Sequence, residues 1–291
     1  MKVLVTGANG NLGSKIVEFL LTKLSVEEII VGVRNDKSEK ACNYKEQGFE
    51  VRVTDFENPE TLITAFTGVD RLFIISTFGD YETIIRQHKN AVKVAKATDV
   101  KQVIYPSVTR AEGNDFFLAG MHRAREIAII ESGIPYVILR NNWYVENELG
   151  TIQGCLAGAP WVTSAGEGKI GWVYRPDLAE AAAKVLVAEG HNHENKIYEL
   201  SGKNLTQQQF VDTLNEVLDK KISLLAVDDS SYMEMLKGAG VPEDYLPMLM
   251  MTQKGIREGG LESTHTDFDF LLERQATPLK QALVQLLGNN K

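Results

Sequence analysis

A glycine-punctuated turn near the start of the chain constrains the fold more than any other feature. Residues 2–6 alternate as a strand and run directly into Gly7-Ala8-Asn9-Gly10-Asn11-Leu12-Gly13, after which a helical period begins at once. A strand that turns into a helix on three glycines gathers backbone N–H groups at a helix N-terminus, where partial positive charge suits a diphosphate. Gly7 permits the tight turn, Gly10 lets the backbone approach the anion, and Gly13 lets the helix lie close on the strand. Asn9, Asn11 and Leu12 complete the loop and belong to the same expected cofactor site. Three glycines alone say little; their place between a strand and a helix gives them meaning.

The rest of the first half repeats one rhythm. Short apolar, β-branched runs at 3–6, 29–33, 51–53, 72–76, 103–105 and 136–139 alternate with helical stretches near 11–24, 37–47, 59–66, 80–98 and 119–132. Such alternation implies right-handed crossovers and a parallel sheet covered on both faces. The expected fold class is α/β, a doubly wound parallel sheet of the NAD(P)-binding Rossmann type. Local signals agree: Asn58-Pro59-Glu60 reads as a cap, a first-turn proline and a first-turn acid, and Gly133-Ile134-Pro135 ends a helix.

Past about residue 141 the rhythm loosens. Residues 150–171 are rich in glycine and small side chains without a period. A helix is expected at 176–189, a strand at 196–200, a helix capped by Thr206 and a short apolar stretch at 222–227. The expected division is a Rossmann domain over 1–150 and a smaller α/β, substrate-binding C-terminal lobe over 151–291, with 172–200 packing back onto the first domain.

Composition narrows the partners. With 31 basic against 39 acidic residues the net charge is −8, which disfavours nucleic acid, since a phosphate backbone calls for a basic face. No apolar 18-mer or secretory pattern occurs, so neither a membrane partner nor a targeting segment is expected, and the location reads as cytoplasmic. Cys42 and Cys155 stand apart without metal-ligand spacing and read as reduced, with no metal expected.

Cofactor choice rests on the tip of the second strand. An NAD-type site offers a carboxylate there for the ribose hydroxyls, whereas this chain reads Val31-Gly32-Val33-Arg34-Asn35. Arg34 can fork a 2′-phosphate and stack on adenine, so NADP(H) is preferred. Asp36 lies close enough to keep NAD(H) open, and Lys37 either adds charge or is simply solvated. At the end of the third strand Asp55 could accept from the adenine amino group while Phe56 packs the base; an Asx-turn with a core phenylalanine is the competing reading. Ser76 and Thr77 close the fourth strand and would line the nicotinamide ribose.

Reductases built on a GxxGxxG turn of this spacing usually carry a tyrosine acid with lysine four residues on. None of the tyrosines at 44, 81, 105, 136, 144, 174, 198, 232 and 245 has lysine at that spacing. The fifth helix instead offers His122 and Glu126, neighbours on one face. His122 could donate a proton near neutral pH or hydrogen-bond a substrate; a surface ion pair among Arg123, Glu126 and their neighbours is the alternative. Reducing a ketone localises charge on one oxygen and demands an acid. A quinone spreads that charge over two oxygens and gains aromaticity, so it needs mainly stacking and positioning. Loss of the pair therefore points to an easy hydride acceptor or to no catalysis.

Taken in order, these residues resemble the NmrA-like group of atypical short-chain dehydrogenases, in its NADPH-dependent quinone oxidoreductase type 2 and triphenylmethane reductase branch. The resemblance runs through Val5-Thr6-Gly7-Ala8-Asn9-Gly10, Val33-Arg34-Asn35, Gln87-His88-Lys89-Asn90, Ser132-Gly133-Ile134-Pro135-Tyr136 and Leu139-Arg140-Asn141-Asn142-Trp143-Tyr144. It continues through Glu146-Asn147, Ala165-Gly166-Glu167-Gly168-Lys169-Ile170, Arg175-Pro176-Asp177-Leu178 and Gly259-Gly260-Leu261. It implies NADPH without flavin, a quinone or dye acceptor in the cleft, and homodimers.

On that resemblance Asn142, Trp143 and Tyr144 border the nicotinamide, and His122, Asn142 and Tyr144 position the acceptor. An aromatic pair closing a core is the competing view of Trp143 and Tyr144. Two departures bear on the substrate: Ile127 follows Glu126 where the branch often has lysine, and Gly171-Trp172-Val173-Tyr174 is bulkier than the branch leads one to expect. His88 reads as packing, His191 and His193 as solvated, and Asp177 as structural. A non-catalytic NAD(P)-binding redox sensor is the alternative function. A nucleotide-sugar epimerase fits less well, because the tyrosine acid is absent.

Overall fold

A computed structural model describes residues 1–75, 77, 79–190 and 192–288; Ser76 and His191 lie outside the described residues. The first half alternates strictly. β1 (Val3–Val5), α1 (Asn11–Leu20), β2 (Ile29–Val33), α2 (Glu39–Glu46), β3 (Glu50–Val53) and α3 (Pro59–Phe66) come first. β4 (Arg71–Phe73), α4 (Tyr81–Ala97), β5 (Gln102–Val108), α5 (Ala119–Ser132) and β6 (Tyr136–Asn141) complete it. There follow α6 (Leu149–Leu156), β7 (Trp161–Thr163), β8 (Lys169–Ile170), α7 (Arg175–Val187), β9 (Lys196–Leu200) and β10 (Leu205–Thr206). The last elements are α8 (Gln207–Leu218), β11 (Leu224–Ala226), α9 (Asp229–Gly238), α10 (Leu246–Arg257), α11 (Phe268–Leu272) and α12 (Leu279–Gly288).

Seven parallel strands form the main sheet in the order β3-β2-β1-β4-β5-β6-β9. The order reverses between β1 and β4, and in such sheets ligands bind outside the carboxyl ends of the strands at that crevice. Helices cover both faces. Val3, Val5, Val31 and Ile104 face a core closed by α1 and α7, while Leu4, Ile30, Leu72 and Tyr105 face one closed by α3, α4 and α5. Strands buried on both sides must be apolar throughout, which is why Ile29–Val33 carries no polar residue at all. The local signals hold too: Asn58 accepts from the Glu60 amide, and Gly133 ends α5 at φ +69°.

Within 172–200, α7 and β9 pack with the main sheet, while Trp172 and Tyr174 join a second core. α7 lies along α1, and β9 joins the open edge of β6 with Tyr198 opposite Leu139. Asp177 is structural: its carboxylate accepts from the Arg274 guanidinium (2.7 Å), the Thr277 amide (2.6 Å) and the Thr277 hydroxyl (2.9 Å). That clasp straps the segment after α11 onto α7.

The stretch 150–171, which shows no period, contains α6, β7 and β8. Its strands are short and find distant partners: β7 pairs in parallel with β11, and β8 pairs antiparallel with β10. A separate core of Trp161, Trp172, Phe210, Leu214 and Leu283 sits beneath them. Thr206 caps α8 reciprocally, its hydroxyl accepting from the Gln209 amide while Gln209 Oε1 accepts from the Thr206 amide.

Candidate functional site

The turn after β1 is shaped for glycine by three different constraints. Gly7 has φ +60°, a left-handed conformation that side chains rarely adopt. A Cβ at Gly13 would stand 2.4 Å from the Gly7 carbonyl oxygen, inside any allowed contact. Gly10 is the N-cap of α1, and a Cβ there would come within 3.1 Å of that same oxygen. The helix ladder begins only with Ser14 N–H donating to Gly10 O at 3.0 Å, so the amides of Asn11, Leu12 and Gly13 point out of its end.

The side chains around this turn are arranged about the same opening. Leu12 turns inward against the α1–α7 core. Asn9 donates to Ser38 Oγ (3.1 Å), Lys40 donates to the Asn9 carbonyl (2.9 Å), and the buried Asn9 Oδ1 has no partner among the described residues. A cradle that a Cβ would fill, outward amides and an unfilled acceptor fit the diphosphate and ribose of a dinucleotide.

At the tip of β2, Arg34 is exposed and Asp36 is turned away. Lys45 of α2 holds the Asp36 carboxylate at 3.0 Å and its carbonyl at 2.8 Å, and the hydrogen bond from Lys45 lowers the acid's pKa. The nearest carboxylate to the loop tip is thus engaged with α2. Asp55 makes the Asx-turn, its Oδ1 accepting from the Glu57 amide at 3.0 Å. Phe56 is buried in the α3–α4 core, with its carbonyl accepting from Asn90, as the core-phenylalanine reading has it. Thr77 presents its carbonyl to Arg125 at 3.5 Å. Ser76 falls outside the described residues.

On the α5 side, His122 and Glu126 do not act as a pair. His122 Nδ1 shares a 2.8 Å hydrogen bond with the Tyr105 hydroxyl, to which Arg125 also donates at 3.4 Å. Burial, reinforced by the Arg125 charge, pushes the His122 pKa down to about 3. Of the two roles read for His122, proton donor near neutral pH or hydrogen-bonder, this lowering favours the hydrogen-bonding one. His88 packs edge-on against Tyr105 and is held near 3 by burial and then by Arg125, in keeping with a packing residue.

Glu126 is no surface residue. Arg140 of β6 donates Nε to Oε1 (3.0 Å) and Nη2 to Oε2 (2.7 Å), Ser107 of β5 adds a 2.5 Å bond, and Arg140 reaches on to Glu199 of β9 at 3.3 Å. The ion pair thus forms with a strand beneath the helix, and Arg123 takes no part in it.

The segment after β6 divides between two neighbourhoods. Asn142 is buried and saturated, donating to Ser201 Oγ and to the Leu261 carbonyl (both 3.0 Å) and accepting from the Trp143 amide (2.7 Å). It fixes the backbone and has little left for a substrate. Trp143 leans toward the lobe, where its indole and that of Trp172 both donate to Glu148 Oε1 at 3.0 Å; burial raises the pKa of that acid. Tyr144 leans the other way, against the α1–α7 core that Leu12 also borders, with Arg175 stacked 5.3 Å above its ring. His193, read as solvated, shares a 2.8 Å bond with the Tyr198 hydroxyl.

Beyond Arg110, which follows β5, an open cleft of about 610 Å³ lies between the loop 110–117 and α10 with its following turn. Phe116, Phe117 and Met251 supply apolar lining, with Arg110 and Lys254 beside them. Arg110 rivets the two walls by donating to the Gly259 and Glu262 carbonyls (2.9 Å each), and Asn114 adds a bond to the Gly260 carbonyl (2.8 Å). Among the described residues no group of acidic, histidine or cysteine side chains could hold a metal, and no helix is long and apolar enough to cross a membrane.

Tyr105, Arg125, Arg140, Glu148, Arg175 and the cleft residues were given no role from the sequence. The strand positions of Tyr105 and Arg140 carry a signal, since a polar group inside a doubly covered strand must find a partner.

A glycine cradle at the switch point of a doubly wound sheet, with a cleft along the same edge, defines a Rossmann-fold reductase scaffold. The chain belongs to the NmrA-like family, whose model matches residues 1–265. It is 32% identical over 289 residues to quinone oxidoreductase 2 of Escherichia coli, covering 99% of both chains. The crystal structure of that NADPH-dependent enzyme with NADPH superposes with a TM-score of 0.90 over 98% of this chain and 99% of that one. Triphenylmethane reductase of Citrobacter sp., solved with NADP(H), gives a TM-score of 0.92 at 37% identity, covering 98% of this chain and 99% of that one.

Proposed function

We propose that this protein is an NADPH-dependent reductase that passes hydride to a quinone-like aromatic acceptor without flavin. NADPH supplies the hydride; the protein's residues bind, orient and exclude water. The observation that carries the reading is the Gly7–Gly13 cradle, closed to any Cβ and open to a diphosphate. Arg34 lies free at the loop tip while Asp36 is tied to Lys45, which favours the 2′-phosphate form over NADH. The acceptor is held in the cleft beside Phe116, Phe117 and Met251.

The neutral His122 and the engaged Glu126 supply no strong acid, so the acceptor must take up hydride without prompt protonation, as a quinone does by delocalising the anion and a cationic dye by becoming neutral. His122 and Tyr144 serve as positioning groups, Asn142 as their backbone support, and Thr77 with the loop residues Asn9, Asn11 and Leu12 as the cofactor wall. We also read the protein as a cytoplasmic homodimer, a reading supported by unpaired Cys42 and Cys155 and by exposed Ile127 and Ile130 on α5.

The direct test mixes purified protein and NADPH with a benzoquinone and, separately, with a triphenylmethane dye, following absorbance at the nicotinamide band. Oxidation that depends on the acceptor is expected. Tight NADPH binding with no turnover on either acceptor would turn the reading toward a redox sensor.

A further inference from the structure

Arg175 is placed as an anion receptor that nothing else in the site requires. Its guanidinium lies over the Tyr144 ring at 5.3 Å, and no acceptor among the described residues hydrogen-bonds its side chain. Glu146 is near, yet both its oxygens accept from the Arg175 backbone amide (3.1 and 3.2 Å). That carboxylate anchors the first turn of α7 and leaves the five guanidinium donors unfilled.

The topology says what faces them. α1 leads from β1 into the parallel strand β2, and α7 leads into the parallel strand β9, so both helices run against the strand direction. The two pack side by side, with their N-termini at the carboxyl edge of the sheet. Leu12 in the first turn of α1, Leu178 in the first turn of α7 and Tyr144 border one apolar cluster. A stacked, unfilled arginine at the N-terminus of α7 therefore lies at the same edge of the sheet as the outward amides of Asn11, Leu12 and Gly13 at the N-terminus of α1. A stacked guanidinium is preorganised, because the ring restricts its rotation while leaving its edge donors open.

We propose that Arg175, held on Tyr144, is a cofactor-positioning residue that takes the nicotinamide-side phosphate of the bound dinucleotide. The proposal rests on the cofactor reading given above and goes beyond it by naming a second cation with a different task from Arg34. Arg34 at the tip of β2 would read the 2′-phosphate, and Arg175 the diphosphate common to NADPH and NADH.

The test titrates NADPH, NADH and 2′,5′-ADP into the wild type, Arg175→Gln and Arg175→Lys, by calorimetry and nicotinamide fluorescence. 2′,5′-ADP carries the adenosine-side phosphates and lacks the nicotinamide-side one. The glutamine variant should weaken NADPH and NADH by one common factor, roughly 10- to 100-fold for a lost charge-assisted bond, and leave 2′,5′-ADP unchanged. The lysine variant should recover part of that loss. Unchanged dinucleotide affinity in a folded Arg175→Gln protein overturns the proposal, as does a loss seen only in the KM for the quinone. Should that variant fail to fold, Tyr144→Leu removes the platform and should weaken both dinucleotides alike but less severely; unaltered binding there overturns the proposal too. A wild type that binds no dinucleotide overturns the cofactor reading as a whole, and is distinguished by the control titration.

Discussion

Arg140 forks Glu126 across the packing between β6 and α5, with Nε 3.0 Å from Oε1 and Nη2 2.7 Å from Oε2. The Glu126 side chain is 4% exposed and that of Arg140 11%, so the pair is withdrawn from water and its members depend on each other. Removing Arg140 leaves Glu126 buried without an ion partner among the described residues, which costs more than the pair contributes, whereas Arg140 without Glu126 still has Glu199 at 3.3 Å. Arg140→Met, which strands the buried Glu126, should lower unfolding stability by roughly 3 to 5 kcal/mol, and Arg140→Met with Glu126→Leu should recover part of it. Urea denaturation at neutral pH reads both; a single variant within about 1 kcal/mol of wild type would contradict the assignment.

Gly13→Ala tests the cradle. Its methyl group would meet the Gly7 carbonyl at 2.4 Å and the Ala8 Cα at 2.9 Å, both backbone atoms that cannot swing aside. The turn must open, and the outward amides lose their common focus. We expect loss of measurable NADPH binding and a destabilisation of roughly 1 to 3 kcal/mol. Calorimetry with thermal unfolding checks both, and normal NADPH affinity in this variant would refute the diphosphate site.

Arg34→Ala separates the two cofactors. If the exposed guanidinium pairs with a 2′-phosphate, NADPH affinity should fall roughly 10- to 100-fold while NADH binding is unchanged. Equal losses for both would show that Arg34 merely supports the turn at β2.

Buried His88 and half-buried His122 make stability depend on acid in a defined window. His88 and His122 are held near 3 in the fold, against 6.5 for an ordinary histidine. Between those values the unfolded chain takes up protons that the folded chain refuses, so stability falls as pH drops from about 6.5 toward 3 and is indifferent above it. The slope approaches roughly 1.4 kcal/mol per pH unit for each fully engaged histidine. Urea midpoints from pH 7 down to 4 should show this, and His88→Leu should flatten the curve. The same neutrality predicts a kcat without a histidine inflection between pH 5 and 9 when a quinone is the acceptor.

Much of the fold was legible for one physical reason. Strands covered on both faces must be apolar along their length, and helices between them must keep a period, so the rhythm up to residue 141 could be read directly. The lobe hid itself for the opposite reason. β7 and β11 are three residues each and pair across more than sixty positions, leaving no local period to find.

The site divides in the same way. Gly7 and Gly13 announce their task because a left-handed φ and a 2.4 Å clash favour glycine there, whereas the fate of Asp36 depends on Lys45, nine residues on in another element. His122 was visible as a histidine on the right helix; its neutrality was not, since that comes from Tyr105, Arg125 and the depth at which the fold sets them. Bulky Trp172 was seen as a departure, and the structure supplies its partner in Glu148.

The rivet from Arg110 to the carbonyls of Gly259 and Glu262 joins cleft walls that lie some 150 residues apart in the chain, and neither wall includes the turn at Gly7–Gly13. The glycine cradle and the proposed acceptor cleft are therefore built from separate stretches of sequence. With the acceptor in that cleft, as proposed, exchanging Phe117 or Met251 should change which acceptors are reduced while NADPH binding stays as it was.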